Sequence, residues 1–375
     1  MRTAHLPECP RATVDEKPLT WIRNYMNTLA PHSETEDAIR QLFDDWYRDS
    51  DSTTPIQTIS HLLDSIRELP RGDERTAAMN TVVRNLGTAT ALATLLDMIR
   101  DSAKRTDTRE QALSTYSRLE PKHSSYGWCG QTKLICSSPN LTSGSVRPEA
   151  GVQDLLGSVP AAMWGLNMHI WQPNPFAKAF PSGKRPEPNA IVEPPHSHPY
   201  DFASMVAIGT MHQSIYVERG SAGSSQNSGS EKTDGRYSGV TLEHVTGVWP
   251  PHVEQEPTQV VTLEERVLLS AGDSYYLPCD AIHDVEIDAS SASVRPAITL
   301  FLRSESVVKP HVYMARAMVD FHADHPDIEH SGQPMLEVDW NEKLRLVSDY
   351  LRGNSAQLVL DDVVKQRSEY SFFHQ

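Results

Sequence analysis

The period of the hydrophobic pattern changes near residue 120, and this constrains the fold more than any other feature of the sequence. Before that point apolar residues recur at helical spacing. EDAIRQLFDDWYRD places Ile39, Leu42, Phe43 and Trp46 on one face, the i, i+3, i+4, i+7 spacing of an amphipathic helix. TPIQTISHLLDSIREL repeats the habit through Ile56, Ile59, Leu62, Leu63 and Ile66, and Pro70, Arg71 and Gly72 break it. DERTAAMNTVVRNLGTATALATLLDMIRDSAKR predicts one long helix or two abutting ones. Its start is acidic and its end carries Lys104 and Arg105, as the helix dipole favours. No period of 20–50 residues repeats, which argues against a helical solenoid. His61 falls within an apolar helical stretch and reads as a structural or surface residue.

Beyond residue 120 the signals change. Residues 121–162 are rich in turn formers and read as a connecting segment. Cys129 and Cys136 lie seven apart with no zinc set nearby, so they read as ordinary thiols. From about residue 163, β-branched and aromatic runs alternate with turn clusters: LNMHIWQP, AIVEPPHSH, SMVAIGTMHQSIYVE, SGVTLEHVTGVW, QVVTLEERVLLSAGDSYYLP, IHDVEIDA and VRPAITLFLRS. Many short strands with Pro/Gly turns point to a sandwich or barrel. GSAGSSQNSGSEKTDG, residues 220–235, predicts a flexible loop inside that unit. NEKLRLVSDYLRG and SAQLVLDDVVKQ predict two closing helices. The expected organisation is α+β: a helical region over 1–120, the connecting segment, a β unit over 163–304, and a mixed helical extension over 305–375.

Charge and cysteine content exclude several classes. With 34 basic and 49 acidic residues the formal net charge is −15, which disfavours a general nucleic-acid binder. No apolar run approaches the ~20 residues of a membrane helix, and MRTAHLPECPRATVDEKP has no apolar signal core. The four cysteines, Cys9, Cys129, Cys136 and Cys279, form no CxxC pair. A reduced, cytoplasmic protein without a membrane partner is the expectation.

The chemistry concentrates in two segments. HSH places His196 and His198 at i and i+2, on one face of a strand, where two imidazoles suit one metal. Alone the signal is weak, since 16 histidines in 375 residues give roughly 0.7 such triplets by chance. Gly209 follows eleven residues after His198. Later comes AGDSYYLPCDAIHDVEI, in which Gly272 and Asp273 make a turn, Pro278 ends a short strand and His283 opens the next. Together these segments resemble the two motifs of the cupin superfamily: His196, His198 and Gly209 match the first, and Gly272, Pro278 and His283 the second. The resemblance covers about residues 163–304 and implies a cupin (double-stranded β-helix, jelly-roll) barrel with one divalent metal on His196, His198 and His283. Phe202 or Ala203 stands where the family usually has a carboxylate ligand, and Asp280 where it has a turn glycine.

A three-histidine set is neutral and leaves open positions on the ion, which suits Fe(II) first and Ni(II), Cu(II) or Zn(II) as alternatives. In ligand type the pattern resembles the cysteine-type thiol dioxygenases. It implies oxidation by O2 of a small thiol-bearing amino acid, cysteine or a derivative, in specialised biosynthesis, because the long helical region is no part of a minimal enzyme of that kind. The alternatives are a non-oxidative isomerase, lyase or hydrolase that uses the metal as a Lewis acid, and a ligand-binding barrel without catalysis. His212, Tyr216, Tyr276 and Asp201 are candidate catalytic or supporting residues. Arg295 and Arg303 are candidates for gripping a substrate carboxylate, and Phe202 for lining the substrate site. Lys178, Lys184 and Arg185, in the loop before HSH, read as a charged loop that closes over the site or is simply solvated. A homodimer is expected from the family resemblance alone.

Overall fold

The apolar stripes of the first hundred residues become, among the described residues, four helices: α1 (Ser33–Arg48), α2 (Pro55–Glu68), α3 (Asp73–Leu86) and α4 (Ala89–Ala103). The computed structural model describes residues 29–50, 54–103, 119–124, 127–137, 164–172, 190–192, 195–219, 241–246, 258–262, 267–279, 281–288, 296–307, 310–314, 337–355 and 358. Ile39 and Leu42 of α1 and Ile56, Ile59, Leu62, Leu63 and Ile66 of α2 are buried, each contributing ~1.5–3 kcal/mol by leaving water. His61 is exposed on α2. The segment read as one helix or two is two, and the break falls at Gly87. A Cβ there would stand 2.3 Å from the Val83 carbonyl oxygen and 3.0 Å from Met205 Cβ, so glycine lets this corner touch the sheet.

Among the described residues thirteen strands follow: β1 (Leu119–Ser124), β2 (Gly127–Ser137), β3 (Trp164–Gln172), β4 (Ala190–Val192), β5 (Phe202–Ile208), β6 (Thr210–Arg219), β7 (Thr241–Thr246), β8 (Thr258–Thr262), β9 (Val267–Ser270), β10 (Ser274–Leu277), β11 (Ile282–Asp288), β12 (Ala297–Arg303) and β13 (His311–Met314). One sheet has the order β1-β2-β3-β12-β5-β10; the other has β13-β7-β8-β6-β11-β4, with β9 also on β6. Among the described residues every ladder is antiparallel. The segment read as a connection over 121–162 thus contributes β1 and β2, whose strand signal was hidden among glycines and serines. The β unit also extends past residue 304, through β13.

The central strands of the first sheet are buried on both faces. Leu166, Met168 and Ile170 of β3, Ala203, Met205 and Ala207 of β5, and Ile298, Leu300 and Leu302 of β12 join one core with Val82, Leu86, Leu92 and Leu96 of the helices. Their alternates Trp171, Phe202, Val206, Ala297 and Phe301 join a second core with Met211, Ile215, Leu269 and Val285 of the other sheet. This is the period-2 alternation of a strand, here sorting side chains between a helical layer and the space between two sheets. Gly209 carries the chain from β5 in one sheet to β6 in the other. Its φ is +83°, and a Cβ would lie 2.7 Å from the Pro296 carbonyl oxygen, so both conformation and space require glycine.

Helix α5 (Glu337–Leu351) closes on α4. Ser348 Oγ donates to the Ala93 carbonyl at 3.2 Å, and Arg352 pairs with Asp97 at 2.6 Å. The second closing helix predicted from SAQLVLDDVVKQ and the loop 220–235 lie outside the described residues. Among the described residues no helix is long and apolar enough to cross a membrane.

A polar latch joins the helices to the end of β12. Arg75 of α3 donates from Nε to the Leu69 carbonyl at 2.8 Å and from Nη1 to Glu305 Oε1 at 2.9 Å. Trp164 Nε1 donates to the other Glu305 oxygen at 2.7 Å. Burial pushes the Glu305 pKa up, but a backbone hydrogen bond, Arg75 and Trp164 outweigh that and hold it below 4.5. The latch therefore stabilises the fold above the ordinary carboxylate range, and that contribution is lost as pH falls below about 4.5 through the depressed folded-state value. Arg75→Met strands a partly buried carboxylate and is expected to cost about 2 kcal/mol, read as a lower urea midpoint at pH 7. The variant's stability should fall less steeply than that of the native chain on acidification below pH 4.5.

Candidate metal centre

Three imidazoles meet because two distant segments pair through their backbones. The His196 N–H donates to the His283 carbonyl at 2.9 Å, and the His283 N–H returns a bond to His196 at 2.8 Å. The two residues are thus direct cross-strand partners. His198, two residues on, shares the face of His196. Ring centroids are 4.5 Å apart for His196 and His283, 4.9 Å for His196 and His198, and 5.1 Å for His198 and His283. One ring nitrogen from each of the three lies within 4.8 Å of the others. No carboxylate joins this group among the described residues.

The donor set fits a divalent metal. His283 is 3% exposed, a costly place for an imidazolium and a good one for a neutral ligand. Its Nδ1 lies 3.1 Å from the Gln213 side-chain amide. An amide that turns its oxygen to an Nδ1–H fixes the tautomer and leaves Nε2 as the ligand atom, the usual second contact of a metal-binding histidine.

The phenyl ring of Phe202 lies against the imidazoles. The residue is 2% exposed, and its ring lies 5.0 Å from His198, 5.7 Å from His283, 4.7 Å from Phe301 and 6.0 Å from Tyr275. Tyr200 stacks on His198 at 5.1 Å, and the Arg303 guanidinium lies 5.1 Å from the Tyr200 ring centre. Alternation along β3 turns Asn167, His169 and Trp171 to the same interior, where His169 contacts Phe301 at 5.0 Å. The candidate site is thus a group of three imidazoles with an apolar wall and a guanidinium one ring away.

The remaining sequence candidates fall elsewhere. His212 and Tyr216 share a face of β6, as their spacing predicts, but it is the face opposite Met211, Gln213 and Ile215, which point to the interior. Tyr216 donates to Asp284 Oδ2 at 2.6 Å there and packs with Ile282 and Tyr313. Tyr276 packs against the helical core; its neighbour Tyr275 points inward, because strand register lets only one of the pair do so. Asp201 is not among the imidazoles. Its Oδ1 accepts from the Cys279 N–H at 2.9 Å and its Oδ2 from Arg71, so it ties the helical region to the loop that delivers His283. Cys279 is buried beside it. Arg295, Lys178, Lys184 and Arg185 lie outside the described residues. Gln213, Arg71 and the inward face of β3 escaped the sequence reading: Gln213 carries no motif, and Arg71 is 130 residues from its partner.

Neither a scan against protein-family models nor a search of curated proteins found a match. Solved structures gave loose likenesses. A hydroquinone 1,2-dioxygenase in complex with Cd2+ and 4-hydroxybenzonitrile is 14% identical over 39% of this chain and 60% of that one, with a TM-score of 0.19. A cupin-like protein from Thermotoga maritima is 12% identical over 57% and 98%, with a TM-score of 0.23. L-ribose isomerase from Cellulomonas parahominis with L-psicose is 12% identical over 65% and 97%, with a TM-score of 0.26. Likeness at this level assigns this chain neither a family nor a reaction.

Gln213→Leu removes the contact to His283 Nδ1 and is expected to weaken divalent-metal binding about 10- to 100-fold, measured by titrating the metal-free protein. Asp201→Ala should lower the melting temperature yet leave the stoichiometry at about one metal per chain, because its oxygens serve Cys279 and Arg71.

Proposed function

We propose that this protein is a metal-dependent dioxygenase of the cupin type that oxidises a small thiol-bearing amino acid, cysteine or a derivative, with O2. The observation that carries the reading is the neutral ligand set: three imidazoles together, with no carboxylate among them in the described residues and the Phe202 ring alongside. Three neutral ligands leave a divalent ion its full charge, and an anionic thiolate is the partner that balances it. When bound, Fe(II) would supply the site at which O2 and the thiolate are held side by side, with Ni(II) as the alternative ion.

The chain's own residues do the rest. His196, His198 and His283 would hold the ion, and Gln213 orients the most deeply buried of them. Phe202, Phe301 and Tyr275 exclude water, which strengthens every charge interaction inside. The net change is RSH + O2 → RSO2H, with both oxygen atoms on sulfur and the proton retained by the product acid. The helical layer braces the metal segments through Arg71 and Asp201, which supports a specialised rather than a minimal enzyme.

The test is metal content followed by oxygen uptake with L-cysteine. About one iron or nickel per chain is expected, with thiol-dependent O2 consumption lost in His196→Ala. Metal binding without oxygen uptake across thiol amino acids, with turnover of some substrate under anaerobic conditions, would overturn the dioxygenase in favour of Lewis-acid chemistry.

A further inference from the structure

The interior face of β3 and β12 carries polar groups that the metal centre does not use. Asn167 and Thr299 are each 1% exposed. Asn167 Nδ2 and Oδ1, Thr299 Oγ1 and Arg303 Nη2 are buried and have no hydrogen-bond partner among the described residues. Buried polar groups in native proteins are nearly always hydrogen-bonded, so a set of them left open on one wall calls for a ligand or ordered water.

Their arrangement is specific. Asn167 pairs with Phe301 across the ladder, and Gly165 with Arg303. Arg303 and Thr299 are therefore the two diagonal neighbours of Asn167, one on either side of Phe301. Gly165 makes room for the first of them: a Cβ there would stand 3.0 Å from Arg303 Nε and 3.4 Å from Asn167 Nδ2. That places a guanidinium and an amide N–H donor side by side, an arrangement completed by an anion that accepts from both. The amide oxygen and the Thr299 hydroxyl are then the acceptors left for a neighbouring N–H donor.

A carboxylate with an N–H donor on the next atom is the head of an α-amino acid. We propose that Arg303, Asn167 and Thr299 form a receptor for that head group. The carboxylate lies on Arg303 Nη2 and Asn167 Nδ2, and the ammonium on Asn167 Oδ1 and Thr299 Oγ1. The amino group is then held by the sheet and not by the metal, so the substrate reaches the metal through its side chain alone. The inference rests on the amino-acid part of the function proposed above and not on its oxygen chemistry.

The experiment is anaerobic calorimetric titration of the full-length, metal-loaded protein with L-cysteine, L-serine and 3-mercaptopropionate, which lacks the ammonium. The native chain should bind 3-mercaptopropionate about tenfold or more weakly than L-cysteine, the scale of one lost charged hydrogen-bonding group. Thr299→Val, nearly isosteric, should weaken L-cysteine and L-serine by a common factor of about five or more and leave 3-mercaptopropionate unchanged. Asn167→Leu should weaken all three. Equal binding of L-cysteine and 3-mercaptopropionate, no effect of Thr299→Val, or no binding of any of the three would overturn the receptor. Binding that follows the expected pattern without oxygen uptake would leave the receptor standing and overturn the dioxygenase alone.

Discussion

Double-sided burial of β3, β12 and β5 is the constraint on which the rest of the molecule depends. Each residue on these strands faces either the helices or the space between the sheets. A slip of one residue would exchange the two sets, sending Asn167, Thr299 and Arg303 into the helical core and Leu166, Leu300 and Leu302 into the metal site. No register but the observed one satisfies both sides. The helical layer supplies half of this discrimination. A sheet with one solvated face would tolerate polar residues there, but Val82, Leu86, Leu92 and Leu96 cover this one.

The metal centre inherits that rigidity through polar ties. Asp201 sits between Arg71 of the helical region and the Cys279 amide just before His283. Its own N–H donates to Ser304 Oγ at 3.1 Å and its carbonyl accepts from the Ser304 N–H at 2.9 Å. One residue thus binds the segment after HSH, the end of β12 and the loop ahead of the third imidazole. Gln213 acts from the other sheet. The three histidines are held from both sides of the sandwich, as a site that must keep its geometry through ligand exchange requires.

What was legible in the sequence follows from how local each signal is. The helical faces of α1 and α2 were readable because i, i+3, i+4 spacing lies within a dozen residues. The imidazoles were readable because a pair two apart, and a third eleven residues after a glycine turn and five after a proline, form two short-range patterns. Tyr275 and Tyr276 could not be separated, because facing depends on register with β5, some seventy residues away. His212 and Tyr216 were correctly on one face, but which face is fixed only by pairing with β11. β1 and β2 were missed because glycine and serine diluted their strand signal. Asn167 and Thr299 carry no motif. Their meaning arises only when β3 lies beside β12.

The phenyl ring of Phe202 beside the imidazoles, where no carboxylate stands among the described residues, has consequences for the charge of the site. A carboxylate would lower the charge of the site by one and lock a coordination position. A phenyl ring does neither, and it removes water from beside His198 and His283. The charge of a bound divalent ion is then balanced by what enters the site, in surroundings where the effective dielectric is low and ion pairing is strong. The Arg303 guanidinium, one ring away over Tyr200, adds a second positive position with the same demand. With an ion bound, these would be two cationic positions separated by an aromatic wall, which the proposed substrate would meet with its thiolate and its carboxylate. In the proposed reading, the apolar residue beside the imidazoles leaves the balance of charge to the incoming substrate, and the open polar groups of the sheet anchor its other end.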